Sequence, residues 1–409
     1  MKAWALTLWV TFTLSAADER QLALLLKAQS DFERVQLSAR PVLADAESCL
    51  QAEASAIPVS PPEELPLLHF RKGWCALAAA EVTGNRQRFV DATTEFDLAK
   101  EAWPVRLRKP PKNTPPEPVP GGLRALAAIS RFQTGADAGP ELTEAMSAPT
   151  CNSNLMPAEL CRQVLDTGRL WLGWIALRDS KLDEASRLLS GSNDSGWSQY
   201  AQGRRSFEAG SYRDAVTNYS NAIETWKAAW AQPTLFRSLG PRPSVPIALT
   251  DLGAAQLLAS DVQTAIRTLD SAAKADVKQA RPLFLRARAK ELSGQVEASL
   301  ADYNLASRTA FAAAQDLASG EAHLYRGILL YRRKDFVGAE DEFSTALNFE
   351  IAPALRADAS AWRHLATVAG GACGAARASL EQALAQVSPF FPKSEAHSLA
   401  AACGATAQR

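Results

Sequence analysis

One spacing of small residues recurs along the chain and restricts what the chain can fold into. A glycine or alanine is followed twelve residues later by alanine or serine, and four residues after that by a large apolar residue. In most copies a further alanine follows three residues on. The copies are Gly173, Ala185, Leu189; Gly203, Ala215, Tyr219, Ala222; Gly253, Ala265, Leu269, Ala272; Ala287, Ser299, Tyr303, Ala306; and Gly327, Ala339, Phe343, Ala346, with a weaker one at Ala376, Leu380, Ala383.

The pattern between these residues is helical. Apolar residues recur at helical spacing almost throughout, and no segment shows the sustained alternation of a strand. Proline, glycine and Ser/Asp pairs interrupt the pattern at intervals typical of short helices. The sequence therefore predicts paired helices, repeated along the chain.

The copies resemble the tetratricopeptide repeat family over about residues 167–388. The best matches are GRRSFEAGSYRDAVTNYSNAI from Gly203 and GILLYRRKDFVGAEDEFSTAL from Gly327. The resemblance implies an all-α fold, a right-handed superhelix of antiparallel helix hairpins. In such hairpins the two small residues lie where the helices approach most closely, because a larger side chain would force them apart.

The chain departs from the family pattern in three ways. The family's aromatic residue on the first helix is often missing, and no copy ends in the usual proline. Copy spacing is irregular, and the longest interval contains Gln232–Pro246, an inserted loop that could reach over the groove.

The N-terminus predicts a secretory signal peptide. Lys2 supplies a positive charge, Ala3–Leu14 is an apolar run of about twelve residues, and small residues precede Asp18. Since a bilayer needs roughly 20 apolar residues, the run is too short to span one. We expect no membrane span in the mature chain, and export to the periplasm or to the medium; an uncleaved anchor or a buried helix is the alternative.

The sequence predicts six segments. They are the signal peptide 1–17, divergent helix pairs 18–103, a proline-rich linker 104–122, connecting helices 123–166, tetratricopeptide-like repeats 167–388 and a C-terminal capping helix 389–409.

Six cysteines fit an oxidising compartment. Two fall mid-helix on consecutive predicted helices, two bracket a short loop, and two lie at one end of a predicted helix pair. The expected disulfides are therefore sequential: Cys49 with Cys75, Cys151 with Cys161, and Cys373 with Cys403. Free buried thiols are the alternative.

A search for catalytic residues leaves no persuasive candidate. Phosphate loops, dinucleotide fingerprints, nucleophile elbows and zinc-binding His or Cys spacings are absent from the sequence. The four histidines are far apart, and paired carboxylates such as Glu63-Glu64 suit helix starts. Lys+Arg and Asp+Glu both number 44, so no excess of positive charge favours nucleic acid. We expect no enzyme, no cofactor and no metal.

The resemblance implies a concave peptide-binding groove lined by first helices. Aromatic and apolar side chains interleaved with arginine could take an extended peptide. The expected groove residues are Trp174, Leu177, Trp197, Tyr200, Arg204, Phe207, Phe284, Arg288 and Tyr331. Alternatively, the N-terminal helices or the inserted loop fill the groove, and these residues are ordinary core.

The functional hypothesis is an exported, non-catalytic scaffold that binds a protein or peptide partner. Two alternatives stay open: a helical-superhelix enzyme acting on cell-wall glycan, and a structural subunit of an envelope complex. The sequence leaves the partner and the oligomeric state undetermined.

Overall fold

The computed structural model describes residues 16–36, 38, 40–103, 119–151, 156–191, 194–231, 235–389 and 391–406, and these contain α-helices and no β-strand. The helices are Ala16–Gln36 (α1), Leu43–Ala56 (α2), Leu65–Thr83 (α3), Arg86–Ala102 (α4), Gly121–Gln133 (α5), Gly139–Ser147 (α6), Ala158–Arg178 (α7), Leu182–Ser190 (α8), Ser195–Glu208 (α9), Tyr212–Trp230 (α10), Leu235–Leu239 (α11), Val245–Leu258 (α12), Val262–Ala275 (α13), Ala280–Leu292 (α14), Val296–Ala312 (α15), Asp316–Arg332 (α16), Phe336–Leu347 (α17), Pro353–Ala369 (α18), Gly374–Ala383 (α19) and Lys393–Thr406 (α20). The predicted all-α fold of helix hairpins is confirmed.

Two details of the helices differ from the expected segments. Gly121 and Gly122, expected in the proline-rich linker, begin α5 instead. The inserted loop is not all loop, because it contains α11. The predicted signal sequence up to residue 15 and residues 104–118 of the predicted linker lie outside the described residues.

The chain divides into two compact units. Unit 1 contains residues 1–201 and 224–243, and unit 2 contains residues 202–223 and 244–409. In each unit, helices that follow one another in sequence pack against each other. The core of unit 1 joins side chains such as Phe70, Trp74 and Leu126, and the C-terminal core of unit 2 joins Phe343, Trp362 and Leu365.

The small residues of the repeat lie where the sequence places them. An added Cβ at Gly253 would lie 2.5 Å from the Cγ of Leu269, and one at Gly327 would lie 2.7 Å from the ring of Phe343. Gly173 and Gly203 meet Leu189 and Tyr219 in the same way. These four hairpins therefore depend on a missing side chain at the closest approach of their helices.

The second small position is equally enclosed. Its residues have an exposed fraction of 0%: Ala185, Ala215, Ala265, Ser299 and Ala339. In the one copy with serine, Ser299 Oγ donates a 2.8 Å hydrogen bond to the carbonyl oxygen of Ala287, the small residue of the facing helix. The serine therefore fits this interior without an unpaired hydroxyl.

One turn joins the two helices of every repeat hairpin. It has three residues, and the middle residue has a positive φ: Ser180, Gly210, Ser260, Gly294 and Lys334. The amide of the third turn residue donates to a carbonyl in the last turn of the first helix, as Asp261 N does to Gln256 O at 2.9 Å. These turns close each first helix by a hydrogen bond back into it.

Three disulfides link neighbouring helices or a helix to the segment before it. They are Cys49–Cys75 between α2 and α3, Cys151–Cys161 before and within α7, and Cys373–Cys403 between the start of α19 and α20. These are the three expected pairs.

Candidate functional site

In each repeat the small residue of the first helix faces the second helix. By helical periodicity, other residues of the first helix lie on a side turned away from that contact, which we call its outward side. On α14 this side carries Phe284, Arg288 and Leu292. Leu258 on α12 and Arg332 on α16 stand in the register of Leu292, and Ile328 on α16 stands in that of Arg288. Ile247, near the start of α12, lies on the same side of that helix as Leu258. We call this the first-helix face, and each unit has its own part of it.

In unit 1 the first-helix face is occupied by the chain itself. The insert helix α11 contacts α3, α5 and α7, each the first helix of a hairpin. Leu235 and Leu239 of α11 are 5% and 0% exposed and belong to the core of this unit. The insert therefore covers part of the first helices within unit 1.

Polar contacts hold the insert by its backbone. The Leu239 carbonyl accepts hydrogen bonds from Trp171 Nε1 at 2.8 Å and from Gln133 Nε2 at 2.9 Å. The Pro241 carbonyl accepts one from Trp197 Nε1 at 3.2 Å. Indole and amide donors on the helices thus satisfy carbonyls of the segment that lies on them.

A charged residue anchors the far end of the insert. Arg242 lies over the ring of Trp230, at 6.0 Å from its centroid, and near Glu81 of α3. Burial raises the pKa of Glu81, while a hydrogen bond with Ser238 and the charge of Arg242 oppose the rise. Ser238 and Arg242 of the insert therefore partly offset the cost of burying the Glu81 carboxylate.

Several expected groove residues are core residues of unit 1 instead. Leu177, Trp197 and Tyr200 are buried, and Trp197 and Tyr200 pack against Trp226 in an aromatic cluster. Trp174 is half-buried, and the guanidinium of Arg178 lies 5.7 Å from its ring centroid. Of the residues expected in this part of the groove, Trp174 alone keeps a partly exposed side chain.

The C-terminal segment covers Tyr331 in unit 2. Its hydroxyl donates a 2.9 Å hydrogen bond to Glu395 of α20, and its ring packs against Trp362. Phe391 covers Trp362 from the same segment, and the exposed fraction of Tyr331 is 7%. Tyr331 therefore belongs to the capped end of the repeats.

Away from its capped C-terminal end, unit 2 leaves apolar side chains of its first helices exposed. The exposed fractions are 44% for Ile247, 50% for Leu258 and 61% for Leu292. Phe284 is half-buried beside them, and its ring packs 5.3 Å from that of Tyr325. We call the outward side of α12, α14 and α16 in unit 2 the open face. Arg204 and Phe207, also partly exposed, lie on α9 in the same unit.

One buried carboxylate organises the charges of the open face. Glu291, with a side chain 8% exposed, accepts from Arg288 Nη1 and Arg332 Nη1, both at 2.6 Å. The hydroxyl of Tyr303 donates to it at 3.1 Å. Arg288 also lies over the ring of Tyr325, at 4.9 Å from its centroid. Two guanidinium groups therefore share one carboxylate, which leaves a positive charge beside the exposed leucines.

A second exposed apolar site lies outside the first-helix face. Phe311, at the end of α15, is 68% exposed and meets Phe349 edge to face at 6.5 Å. Leu317, shortly after it, is 50% exposed. This surface is a separate candidate contact.

Two histidines take part in ion pairs within hairpins. His69 Nδ1 and Lys72 Nζ each lie 2.7 Å from the carboxylate of Glu95. His323 Nδ1 lies 2.7 Å from Glu342 in the same arrangement. Burial would raise the pKa of Glu95, but the hydrogen bonds from His69 and Lys72 outweigh it and hold the pKa below its usual value. Among the described residues, no group of His, Cys, Asp and Glu has the arrangement of a metal site.

The carboxyl with the most perturbed pKa lies in the interior of unit 1. Glu53 of α2 is 0% exposed, and neither of its oxygens has a hydrogen-bond partner. Burial raises its pKa to about 7, against the opposing charge of Arg71. A catalytic acid must reach its substrate. Glu53 is enclosed, so it does not favour the glycan-hydrolase alternative.

The hairpin geometry defines the class of fold, which is an all-α repeat of antiparallel helix hairpins with tetratricopeptide-like spacing of small residues. No family model matches the chain, and no curated protein matches its sequence. The solved structures to which the chain is similar include three with low sequence identity. They are yeast Tom70 (13% identity, 96% of this chain and 97% of that one, TM-score 0.42), a tetratricopeptide repeat protein from Parabacteroides merdae (18%, 68% and 98%, 0.40) and a signal transduction ATPase with a tetratricopeptide repeat sensor from Pyrococcus horikoshii (11%, 96% and 68%, 0.49). These similarities assign neither a partner nor an activity to this chain.

Proposed function

We propose that this chain is an exported, non-catalytic scaffold that holds a segment of a protein partner on the open face of unit 2. One observation carries the proposal. Ile247, Leu258 and Leu292 stay exposed on first helices, whereas the chain fills the first-helix face of unit 1 with its own insert. Exposing several large apolar side chains to water on one set of helices is unfavourable in free energy unless a partner covers them.

The composition of the open face suits a protein ligand. Leucine side chains supply apolar area, the half-buried ring of Phe284 supplies a rigid contact, and Arg288 is already oriented by Glu291 and Tyr325. Pre-oriented side chains lose less conformational entropy on binding than free ones. This favours binding of a partner segment over chemistry.

The three disulfides support export. Disulfides persist in oxidising compartments and are rare where glutathione keeps thiols reduced. None of the described helices has the length and hydropathy to cross a membrane. We infer that the chain works in the periplasm or outside the cell.

Site-specific photo-cross-linking tests the binding surface. A photoreactive phenylalanine analogue replaces Leu258, Leu292, Leu305 or Phe311, one at a time, in the full chain expressed in its own host. Leu305, 47% exposed on the second helix α15, is the matched control. We expect positions 258 and 292 to give the same discrete cross-linked protein, and position 305 to give none.

Three other results would contradict the proposal. Equal cross-linking from position 305 would mean that contact is non-specific, and absence from 258 and 292 would exclude the open face. Cross-links from position 311 alone would favour the structural-subunit alternative. Export is checked on the same material, since N-terminal sequencing should give a chain that has lost its first 17 residues.

A further inference from the structure

The insert shows what a segment bound to first helices looks like in this protein. In α11, Leu235 and Leu239 are one helical turn apart, and both are buried against the first helices of unit 1. The carbonyl at the end of this turn accepts from Trp171 and Gln133. A helical turn with two leucines thus supplies the apolar part of this contact with first helices.

The open face of unit 2 presents a comparable surface with a different charge. Leu258 and Leu292 are the last residues of α12 and α14, in the same register on helices that pack side by side. The next residue in this register is Arg332, at the end of α16, with a side chain 59% exposed. An apolar strip therefore ends at an exposed guanidinium.

The charges around this strip do not balance. Arg288 and Arg332 share the single carboxylate of Glu291. Arg281, at the other end of α14, lies 3.7 Å from Asp251, so that pair is neutral. A ligand carboxylate would complete the charge pairing at Arg332, whereas a ligand cation there would meet an uncompensated positive charge.

We propose, resting on the function proposed above, that the open face recognises a short helical segment carrying two large apolar residues one turn apart and an acidic residue beside them. The apolar pair covers Leu258 and Leu292. The acidic side chain pairs with Arg332. The ligand is an internal segment of another protein, since no terminal carboxylate is needed for this pairing.

Selection from a random peptide library tests the ligand chemistry without assuming a sequence. Peptides displayed on phage are selected on the full oxidised chain and, in parallel, on an Arg332→Glu variant. Arg333→Glu is the matched control, because Arg333 is the adjacent residue, is 43% exposed and pairs instead with Glu297. Circular dichroism first confirms that the three proteins melt alike.

We expect the unmodified chain and the Arg333→Glu variant to enrich peptides that combine a pair of apolar residues one turn apart with Asp or Glu. The Arg332→Glu variant should lose these peptides and enrich Lys or Arg in their place. For an enriched peptide synthesised with blocked termini, Arg332→Gln should weaken binding at least about tenfold, and 0.5 M salt should weaken it further. Leu292→Ser should weaken it comparably, and Leu305→Ser should not.

Two negative outcomes are distinguishable. Enriched peptides that lack acidic residues, or that bind Arg332→Gln unchanged, would overturn the ligand chemistry while leaving peptide binding on this face intact. Enrichment of no peptide family, or binding that survives both Leu258→Ser and Leu292→Ser, would remove the proposed function together with the inference.

Discussion

At Gly253 a hydrogen atom in place of a side chain decides whether α12 and α13 can pack. Leu269 occupies the volume that a Cβ would need, and the same arrangement recurs at Gly173, Gly203 and Gly327. The requirement is steric, so it is visible in the sequence as a spacing of small residues. The repeat could therefore be predicted before any coordinates.

A valine at this position tests the steric argument. Gly253→Val places its Cβ 2.5 Å from the Cγ of Leu269 and should lower the free energy of unfolding by about 2 kcal/mol or more. Gly374→Val is the matched control, since nothing lies within 4 Å of its added Cβ. Urea unfolding of the full chain, followed by circular dichroism, measures both, and equal losses would refute the argument.

Glu53 is a residue whose role only the tertiary structure gives. Its sequence context is that of an ordinary amphipathic helix, and its burial arises because α1 and α3 pack on both sides of α2. In the folded chain, Arg71 of α3 and Asp31 of α1 act electrostatically on it. Asp31 is itself paired with Arg34 and accepts from Ser48.

The raised pKa predicts a pH dependence of stability. The folded pKa of about 7 exceeds the unfolded value of 4.5, so the folded state binds the proton more tightly. The proton on Glu53 adds its full contribution to the free energy of unfolding below pH 4.5. This contribution is lost as pH rises to 7, at 1.36 kcal/mol per pKa unit, or about 3 kcal/mol in all. Glu53→Gln should therefore be more stable than the unmodified chain above pH 7 and equal to it near pH 4.5.

Urea unfolding between pH 4.5 and 8.5 measures this difference. Glu101→Gln serves as the control, because Glu101 is exposed on α4 and its replacement should leave the pH profile unchanged. A stability difference between Glu53→Gln and the unmodified chain that does not vary with pH would contradict the assignment.

At the scale of the element, each repeat hairpin depends on the turn that joins its two helices. Its middle residue has a φ of 68° in Ser260 and 77° in Gly294. A left-handed residue costs about 1 kcal/mol for any side chain other than glycine. The sequence shows glycine at only two of these five turns, so the turn type could not be deduced from glycine alone.

Exchanging residues at these turns should change stability in opposite directions. Ser260→Gly should raise the free energy of unfolding by about 0.5 kcal/mol, and Gly294→Ala should lower it by about 1 kcal/mol. Ala259→Gly is the control in the same turn: its φ is −77°, so glycine brings only an entropic loss. Urea midpoints compare the three, and a gain from Ala259→Gly equal to that from Ser260→Gly would refute the strain argument.

Ion pairs strengthen two of the hairpins in an identical register. Arg286 binds Asp302 through two 2.7 Å hydrogen bonds, and Arg326 binds Glu342 at 2.5 Å. In both pairs the arginine precedes the small residue of the first helix and the acid precedes the large residue of the second. The sequence contains these residues, but a pairing between helices needs the hairpin register first.

At the scale of the whole molecule, disulfides and covering segments determine which surfaces are free. Cys373–Cys403 holds α20, whose Glu395 binds Tyr331, at the C-terminal end of unit 2. In helical repeat proteins, stability is local because each repeat contacts only its neighbours. Loss of this disulfide should therefore release the cap without unfolding distant repeats.

The double variant Cys373→Ser/Cys403→Ser tests that locality. Hydrogen exchange should accelerate at least about tenfold in α20 and at the end of α16, and should be unchanged in α12 and α13. The double variant Cys151→Ser/Cys161→Ser is the control and should leave exchange in α20 as it was. Acceleration throughout unit 2 would show that the cap and the repeats unfold together.

The sequence by itself determined the helix hairpins and their small contact residues, because these depend on local spacing, and it predicted the sequential cysteine pairs without excluding free thiols. Two adjacent helices can pack closely only where small residues occur at a fixed spacing, and this spacing is contained in a few dozen consecutive residues. The sequence also identified which residues lie on the first helices. These properties need no knowledge of distant parts of the chain.

Only the tertiary structure decided which part of the first-helix face is free. Trp197 and Leu292 are equally apolar in sequence, yet the first is buried under the insert and the second is 61% exposed. The covering segments α11 and α20 reach the residues they cover through long-range packing, which helical periodicity does not encode. Periodicity fixes the direction of a side chain, and the rest of the fold decides what it meets there.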